Sequence, residues 1–214
     1  MHHRGLGMRT LGRLAMAAAL IVPVGAVTAT SAGAASTNPN QATCSGTGGA
    51  INSQTVNNGV GDHGGLLLAR KGAQKFQLKS TVGTNTNPST NCSGGVVNGG
   101  NIVATFTTAT AVNCQTAPGV SMGGVGTITW TSPAGMGKTS ANVQFTWRTN
   151  TSLHYSGSVT ANNSTTNVFK GDHVSGNVFT QQSLAATASG GNCSATIPLT
   201  HFDITSIVLR ITSA

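Results

Sequence analysis

Much of the chain alternates apolar side chains with small polar ones, the period-two pattern of half-buried β-strands. The strand-like runs are Phe76–Val82, Ile102–Thr107, Gly126–Trp130, Val143–Trp147, Leu153–Val159, Val174–Phe179, Ala195–Ile197 and Phe202–Ile211. Breaks rich in Gly, Asn and Pro separate these runs, and such residues supply turn conformations at low steric cost. Outside the N-terminal segment, no window of the sequence has helical spacing. Many short strands without helices predict an all-β fold.

The strand count and spacing favour an antiparallel β-sandwich, of the immunoglobulin type or a related barrel. Trp130 and Trp147 lie in phase with the apolar residues of their strands. We therefore expect both rings in the core, where each indole N–H needs a partner. The disfavoured alternative is an aromatic platform for a sugar, which requires both rings on an open face.

Residues 1–35 have the three-part pattern of a secretory signal peptide. Three arginines precede an apolar run at 14–27, and small residues follow it. Pro23 interrupts the run, which is also shorter than the roughly 20 residues of a membrane span. No second apolar segment of spanning length follows. The sequence therefore predicts one secreted domain over 36–214, at or beyond the cell envelope.

The four cysteines are Cys44, Cys92, Cys114 and Cys193, an even number in a chain predicted to be exported. Two disulfides are the expected outcome in an oxidising compartment. Cysteine spacing alone leaves three pairings open. If the first three strands form a meander, Cys44 and Cys92 lie at one end of the sheet and Cys114 at the other. This argument predicts the pairs Cys44–Cys92 and Cys114–Cys193.

The composition is low in charge: only 7% of the 214 residues are charged, none is Glu, and the net charge is +8. Typical soluble domains have about 25% charged residues. Disorder driven by charge is excluded. Arg70, Lys71, Lys75 and Lys79 form the one basic group, a candidate contact for a polyanion or envelope polymer. The few aromatic residues give no strong nucleic-acid signal.

Several short motifs resemble those of one protein family. They are Cys44–Gly49, Gly126–Trp130 followed by Gly137–Ser140, Tyr155–Thr160 and Phe169–Gly171. In these motifs the chain resembles small exported actinobacterial proteins of a four-cysteine type to which no activity is assigned. The resemblance implies a β-rich fold and export, and it implies no catalytic or ligand-binding residues. The chain departs from the pattern by an insertion at 161–166.

Catalytic motifs are scarce. The carboxylates are Asp62, Asp172 and Asp203, scattered along the chain with no sign of the pair that a glycosidase uses. Gly137-Lys138-Thr139 lacks the spacing of a phosphate-binding loop, and no Gly-x-Ser-x-Gly elbow is present. The enzyme question stays open, but the sequence favours a non-catalytic protein without a cofactor.

One repeated tripeptide is a candidate metal site. Gly61-Asp62-His63 and Gly171-Asp172-His173 have the same three residues. If the two turns met, Asp62, His63, Asp172 and His173 could bind zinc or copper. The favoured interpretation is two separate turns, because Asp after Gly is common turn chemistry.

These observations together predict a secreted, non-catalytic β-sandwich protein that acts as a binding or structural module of the envelope or extracellular space. Its partner is not identified by the sequence. One alternative is a secreted metal-dependent or hydrolytic enzyme that uses the Asp-His turns. Another is a weak polyanion-binding protein.

Overall fold

A computed structural model of the chain describes residues 40–56, 64–69, 71–83, 92–95, 97–132, 137–162 and 169–214. β-Strands are the main regular element in the described part of the chain. The strands are β1 (Asn40–Gly46), β2 (Ala50–Thr55), β3 (Gln74–Val82), β4 (Ser93–Gly95), β5 (Gly99–Thr108), β6 (Ser121–Ser132), β7 (Lys138–Thr149), β8 (Ser152–Asn162), β9 (His173–Thr180) and β10 (His201–Thr212). One turn of 3-10 helix lies at Thr187–Ser189.

The strands form a closed eight-stranded antiparallel barrel. Its strands follow one another in the order β2, β3 and β5 to β10, and the pairing of Phe202 in β10 with Ile51 in β2 closes the circle. β1 pairs with the second half of β10, and the short β4 pairs with β1. The all-β antiparallel prediction with two disulfides is thus confirmed, and the arrangement is the barrel rather than two separate sheets.

Seven of the runs predicted from periodicity lie within β3 and β5 to β10. The predicted strand Ala195–Ile197 is wrong. The hydroxyl oxygen of Ser194 accepts hydrogen bonds from the N–H groups of Thr196 and Ile197, each at 3.2 Å. This local turn competes with strand formation, and Ile197 is 71% exposed.

A band of aromatic rings fills the middle of the barrel. The ring centroids of Phe76 and Phe106 lie 5.1 Å apart, those of Phe106 and Phe145 lie 4.1 Å apart, and those of Phe145 and Tyr155 lie 5.8 Å apart. The hydroxyl of Tyr155 donates to the carbonyl of Val208 at 2.9 Å, and burial raises the pKa of this phenol well above its ordinary value.

The lower end of the barrel is the end at which β3 begins and β9 finishes. Loops cover it and bury a set of apolar side chains, namely Leu66, Leu67, Val112, Leu184 and Leu199. Inside this end the rings of Trp147 and Phe202 have centroids 5.2 Å apart. The prediction that Trp147 is a core residue is confirmed, since its exposure is 0%.

The two disulfides join Cys44 to Cys92 and Cys114 to Cys193, the pairs that the meander argument predicts. The second joins two of the loops that cover the lower end. Disulfides of this kind are typical of an oxidising, extracellular environment. In the described ranges no helix has the length and apolar character needed to cross a membrane.

Candidate functional site

The upper end of the barrel is the end at which β6 finishes and β9 begins. Just below it, five strands contribute one inward-facing residue each to a continuous row of cross-strand neighbours. This inner row consists of Leu78, Ala104, Gly126, Ala141 and Val159. Three of its members are Ala or Gly, although the aromatic band directly beneath them is bulky.

Small residues in the inner row leave the interior incompletely filled. A cavity of about 40 Å³ lies there, lined by residues that include Ile102, Ala104, Gly126, Ala141, Val159 and Val174. A water-sized group needs about 10–15 Å³ in this measure, so the cavity has room for roughly three such groups. Its lining is apolar apart from three residues with hydroxyl groups, Thr127, Thr139 and Tyr155.

An unfilled apolar space destabilises a folded protein. At about 24 cal/mol per Å³ of cavity, the void corresponds to about 1 kcal/mol of lost stability. Protein interiors are otherwise close-packed, and few voids exceed the size of a water molecule. The void therefore lowers the stability of the barrel, and a larger residue in place of Gly126 or Ala141 would remove this cost.

Trp130 and Phe169 lie above the cavity at the upper end. The indole N–H of Trp130 donates to Oγ1 of Thr139 at 2.8 Å, and the centroids of the Trp130 and Phe169 rings are 5.7 Å apart. Phe169 is fully buried, and Trp130 is 5% exposed. The predicted core position and hydrogen-bond partner of Trp130 are thus confirmed. Trp147, in contrast, has no partner for its indole nitrogen among the described residues.

A tight turn joins Phe169 to Asp172. The N–H of Asp172 donates to the carbonyl of Phe169 at 3.1 Å, and Gly171 has a φ angle of 89°. A positive φ at the third position is typical of a type II turn, and Gly adopts it without strain. The turn directs the side chains of both Phe169 and Asp172 into buried positions.

Asp172 extends the inner row by one strand. The N–H of Val159 donates to the carbonyl of Asp172 at 2.9 Å, and Gly171 donates back to Val159 at 3.1 Å. Residues opposite each other in an antiparallel pair face the same side of the sheet. Asp172 therefore lies on the inner side, next to a residue that lines the cavity.

The Asp172 side chain is buried, and one of its two carboxyl oxygens has no hydrogen-bond partner among the described residues. The residue is 6% exposed, and Oδ2 accepts no hydrogen bond from any described residue. Burial raises the pKa of the carboxyl above its ordinary value, since desolvation disfavours the charged form. Close packing accounts for the buried apolar residues of the site, but it does not account for the buried carboxyl of Asp172.

The candidate metal ligands are only partly within the described chain. Asp62 and His63 lie outside it, so their part of the prediction is not tested. Asp172 is buried, whereas His173 is exposed on the outer side of β9. Within the described ranges, no three His, Cys, Asp or Glu side chains form a cluster that could hold a metal ion.

His201 and Asp203 form a polar cluster on the outer surface near the lower end. Nε2 of His201 lies 3.0 Å from Oδ1 of Asp203, and Nδ1 lies 2.9 Å from Oδ1 of Asn52. The side-chain amide of Gln182 donates to Oδ2 of Asp203 at 2.8 Å. Hydrogen bonds from Gln182 and His201 lower the pKa of Asp203. Each imidazole nitrogen of His201 thus lies within hydrogen-bond distance of a neighbouring side-chain oxygen.

The predicted basic contact lies on another part of the surface. Arg70 is outside the described residues, and Lys71, Lys75 and Lys79 are exposed, the last two on the outer side of β3. Beside Lys79 lies a surface groove of about 360 Å³, formed with Thr47–Gly49 and the outer side of β5. Among the described residues that line the groove, Lys79 is the one with a charge, and the contact with a polyanion stays a prediction.

Sequence reasoning identified Asp172 as a candidate residue but did not find the cavity. The available signal was the occurrence of Ala104, Gly126 and Ala141 in phase with apolar strand positions. Small residues at inward positions predict an unfilled space in the barrel interior only when the strand register places them next to one another. The register depends on long-range pairing, which periodicity does not contain.

The fold and the site define a class of protein, a closed eight-stranded antiparallel barrel with two disulfides and an apolar cavity near one end. No family model, curated protein or solved structure matches the chain. The β-rich body with four paired cysteines agrees with the resemblance to the actinobacterial proteins, but no family is identified.

Proposed function

We propose that the protein is a non-catalytic extracellular binding protein that holds a small apolar group in the barrel interior. The observation that carries the proposal is the cavity of about 40 Å³ beneath Trp130, enclosed by apolar side chains. Eight-stranded barrels are wide enough either to be filled by side chains or to hold one small ligand. Ligand sites are typically concave and apolar, with few polar groups.

The inner row sets the size of the bound group. Ala104, Gly126 and Ala141 leave space for roughly three water-sized groups, while the aromatic band forms the floor. A slim group, such as the end of an alkyl chain, fits this space, and the remainder of the ligand extends toward the upper end. The lower end is covered by loops with buried leucines.

The secreted location is part of the same proposal. Residues 1–35 direct export and are removed, leaving a domain that begins at residue 36. Two disulfides and the low charge suit a protein outside the cell. Membership of the exported actinobacterial group belongs to this proposal as well. N-terminal sequencing of the secreted protein should begin at Ala35 or Ser36, and retention of Arg13 and Leu14 would contradict the signal peptide.

A non-catalytic role is favoured over the Asp-His enzyme by the positions of the described acids. Asp172 is on the inner side near the upper end, whereas Asp203 is on the outer side near the lower end. The separation leaves no pair among the described carboxylates that could share one substrate. Because His173 faces outward, Asp172 has no adjacent base among the described residues.

The experiment that tests the binding proposal is a titration of methyl-labelled protein with pentan-1-ol, followed by NMR. The methyl signals of Ile102, Ala141 and Val159 should shift together and saturate. Those of Val112 and Leu184 at the lower end should not. If the cavity methyls stay unchanged up to the solubility limit of the alcohol, the proposal is wrong.

Two variants of β6 provide a matched comparison. Gly126→Ala adds one carbon inside the cavity, where the new Cβ would lie 3.7 Å from side chains of Ala104 and Val143. Val125→Ile adds one carbon on the outer surface, where Val125 is 53% exposed. Gly126→Ala should weaken pentanol binding several-fold, and Val125→Ile should not alter it. Equal effects of the two variants would place the binding site elsewhere.

A further inference from the structure

Among the described residues, Asp172 is the one side chain with a carboxyl group on the inner side of the barrel beside the cavity. Its backbone is hydrogen-bonded to Val159, which lines the cavity. The neighbouring Val174, two residues further along β9, also lines it. The backbone of Asp172 is therefore joined by a hydrogen bond to the lining of the apolar space, on the side of the upper end.

The burial of this carboxyl is unusual because its charge is not balanced. The ion pair recorded within the described ranges is His201–Asp203, and Asp172 has no basic partner there. Lys170 and His173, the nearest titratable residues in sequence, are both exposed. An ionised carboxylate buried without a partner is costly, and a buried polar atom without a partner calls for an explanation.

We propose that Asp172 binds a protonated amine of the ligand, so that the barrel is specific for small molecules with a slim apolar end and a basic nitrogen. The inference rests on the proposed function, since it assigns the polar end of the same ligand. The apolar end lies among the inner-row residues, and the ammonium group donates to Oδ2 of Asp172. A charge-assisted hydrogen bond of this kind is stronger than a neutral one.

The donor set favours an ammonium group over a metal ion. A metal site usually takes three or more protein ligands. Within the part of the chain that the structure describes, the inner side offers one carboxylate, and His173 faces the opposite side of the strand. A single carboxylate oxygen is sufficient for an ammonium N–H donor. Oγ1 of Thr139 already accepts the indole N–H of Trp130, and a threonine hydroxyl has no charge. Asp172 is therefore the charged acceptor that the ligand would contact.

The test compares three probes of equal chain length with the disulfide-bonded protein at pH 8: pentylamine, pentan-1-ol and pentanoate. At this pH an alkylamine is protonated, since its pKa resembles that of lysine at about 10.4. We expect pentylamine to bind about tenfold tighter than pentan-1-ol, as a hydrogen bond to a charged group implies. Pentanoate should bind most weakly, because its charge repels the carboxylate.

Asp172→Asn should abolish the preference for the amine while leaving the affinity for pentan-1-ol nearly unchanged. Asp203→Asn is the control, because it removes the same charge from the outer surface. It should leave the preference intact. If Asp172→Asn retains the preference, or Asp203→Asn loses it, Asp172 is not the recognising group.

The outcomes separate this inference from the proposed function. Equal binding of pentylamine and pentan-1-ol to the cavity would overturn the role of Asp172 and leave an apolar-binding barrel. Binding of neither probe would overturn the proposed function itself. Circular dichroism spectra of the two Asn variants that match the parent protein confirm that they are folded.

Discussion

The rings of Phe106 and Phe145 stack with centroids 4.1 Å apart, although β6 lies between their strands in the sheet. They can meet because Gly124 of β6 lies opposite Phe106 and has no side chain to separate them. Gly126, two residues further along the same strand, also faces inward, but the space above it is the cavity. Gly124 thus allows two aromatic rings to pack closely, whereas Gly126 leaves a space unfilled.

We predict opposite effects of alanine at these two positions. A Cβ at Gly126 would make ordinary contacts at 3.7 Å, so Gly126→Ala should stabilise the fold by about 0.5–1 kcal/mol by reducing unfolded-state entropy. A Cβ at Gly124 would overlap the carbonyl of Thr105 and Cβ of Phe106, so Gly124→Ala should destabilise by about 1–3 kcal/mol. Urea denaturation measures both, and equal effects would contradict the packing described.

The hydrogen bond from Trp130 to Thr139 is predicted to stabilise the upper end. Thr139→Val removes the acceptor at a site that is 2% exposed and leaves a buried indole N–H without a partner. The cost should be about 1–3 kcal/mol. Thr139→Ser keeps the hydroxyl and should cost less. Urea denaturation with tryptophan fluorescence measures both, and a serine variant as unstable as the valine variant would argue against the hydrogen bond.

The two described aspartates should change stability with pH in opposite directions. The pKa of Asp172 is raised in the fold, so its burial cost is fully present above the folded pKa and disappears as the pH falls below the ordinary value of 3.8. Asp172→Asn should therefore stabilise the protein at pH 7, and the gain should shrink at acid pH.

The pKa of Asp203 is lowered by its hydrogen bonds to Gln182 and His201. Its stabilising contribution is present above the ordinary pKa and is lost as the pH falls through the lower folded value. Asp203→Asn should therefore destabilise the protein at pH 7 and have little effect near pH 2. Thermal unfolding of both Asn variants across this pH range provides the measurement, and effects of the same sign at pH 7 would contradict the assignment.

The disulfide Cys114–Cys193 should hold the cover of the lower end in place. It closes 79 residues of chain, which corresponds to about 4 kcal/mol in the chain-entropy model. The double variant Cys114→Ala/Cys193→Ala should lose stability by about 2–5 kcal/mol. Limited proteolysis should cut it faster within residues 181–200. Cleavage there at the parent rate would show that the loops do not depend on the disulfide.

The periodicity was sufficient for the strands that have large inward residues. β7 and β10 alternate Phe, Trp, Ile and Leu with polar residues, so their pattern is strong. β1 and β2 were missed because several of their inward positions are small, as with Ala42, Cys44 and Ser53. When the buried residues of a strand are small, the inward and outward positions differ little in hydrophobicity, and the period-two pattern is weak.

The site could be predicted only in part. The repeated Gly-Asp-His tripeptide indicates Asp172 as a candidate residue, but the sequence favours two separate turns over a meeting of Asp62 with Asp172. Burial of Asp172 beside a cavity follows from the register of β8 on β9 and from the positive φ of Gly171. The turn at Gly171 is local, and the Gly-Asp pattern predicts it. The register of β8 on β9 depends on pairing between two strands, about which composition and local pattern contain no information.

The most direct test of the account is the crystal structure of the protein under xenon pressure. Xenon is apolar and compact, and apolar cavities in proteins take it up. The account predicts a bound xenon atom between Gly126, Ala141 and Val159, with reduced occupancy in Gly126→Ala. Density for xenon elsewhere but none in the barrel interior would contradict the claim that this space accepts an apolar group.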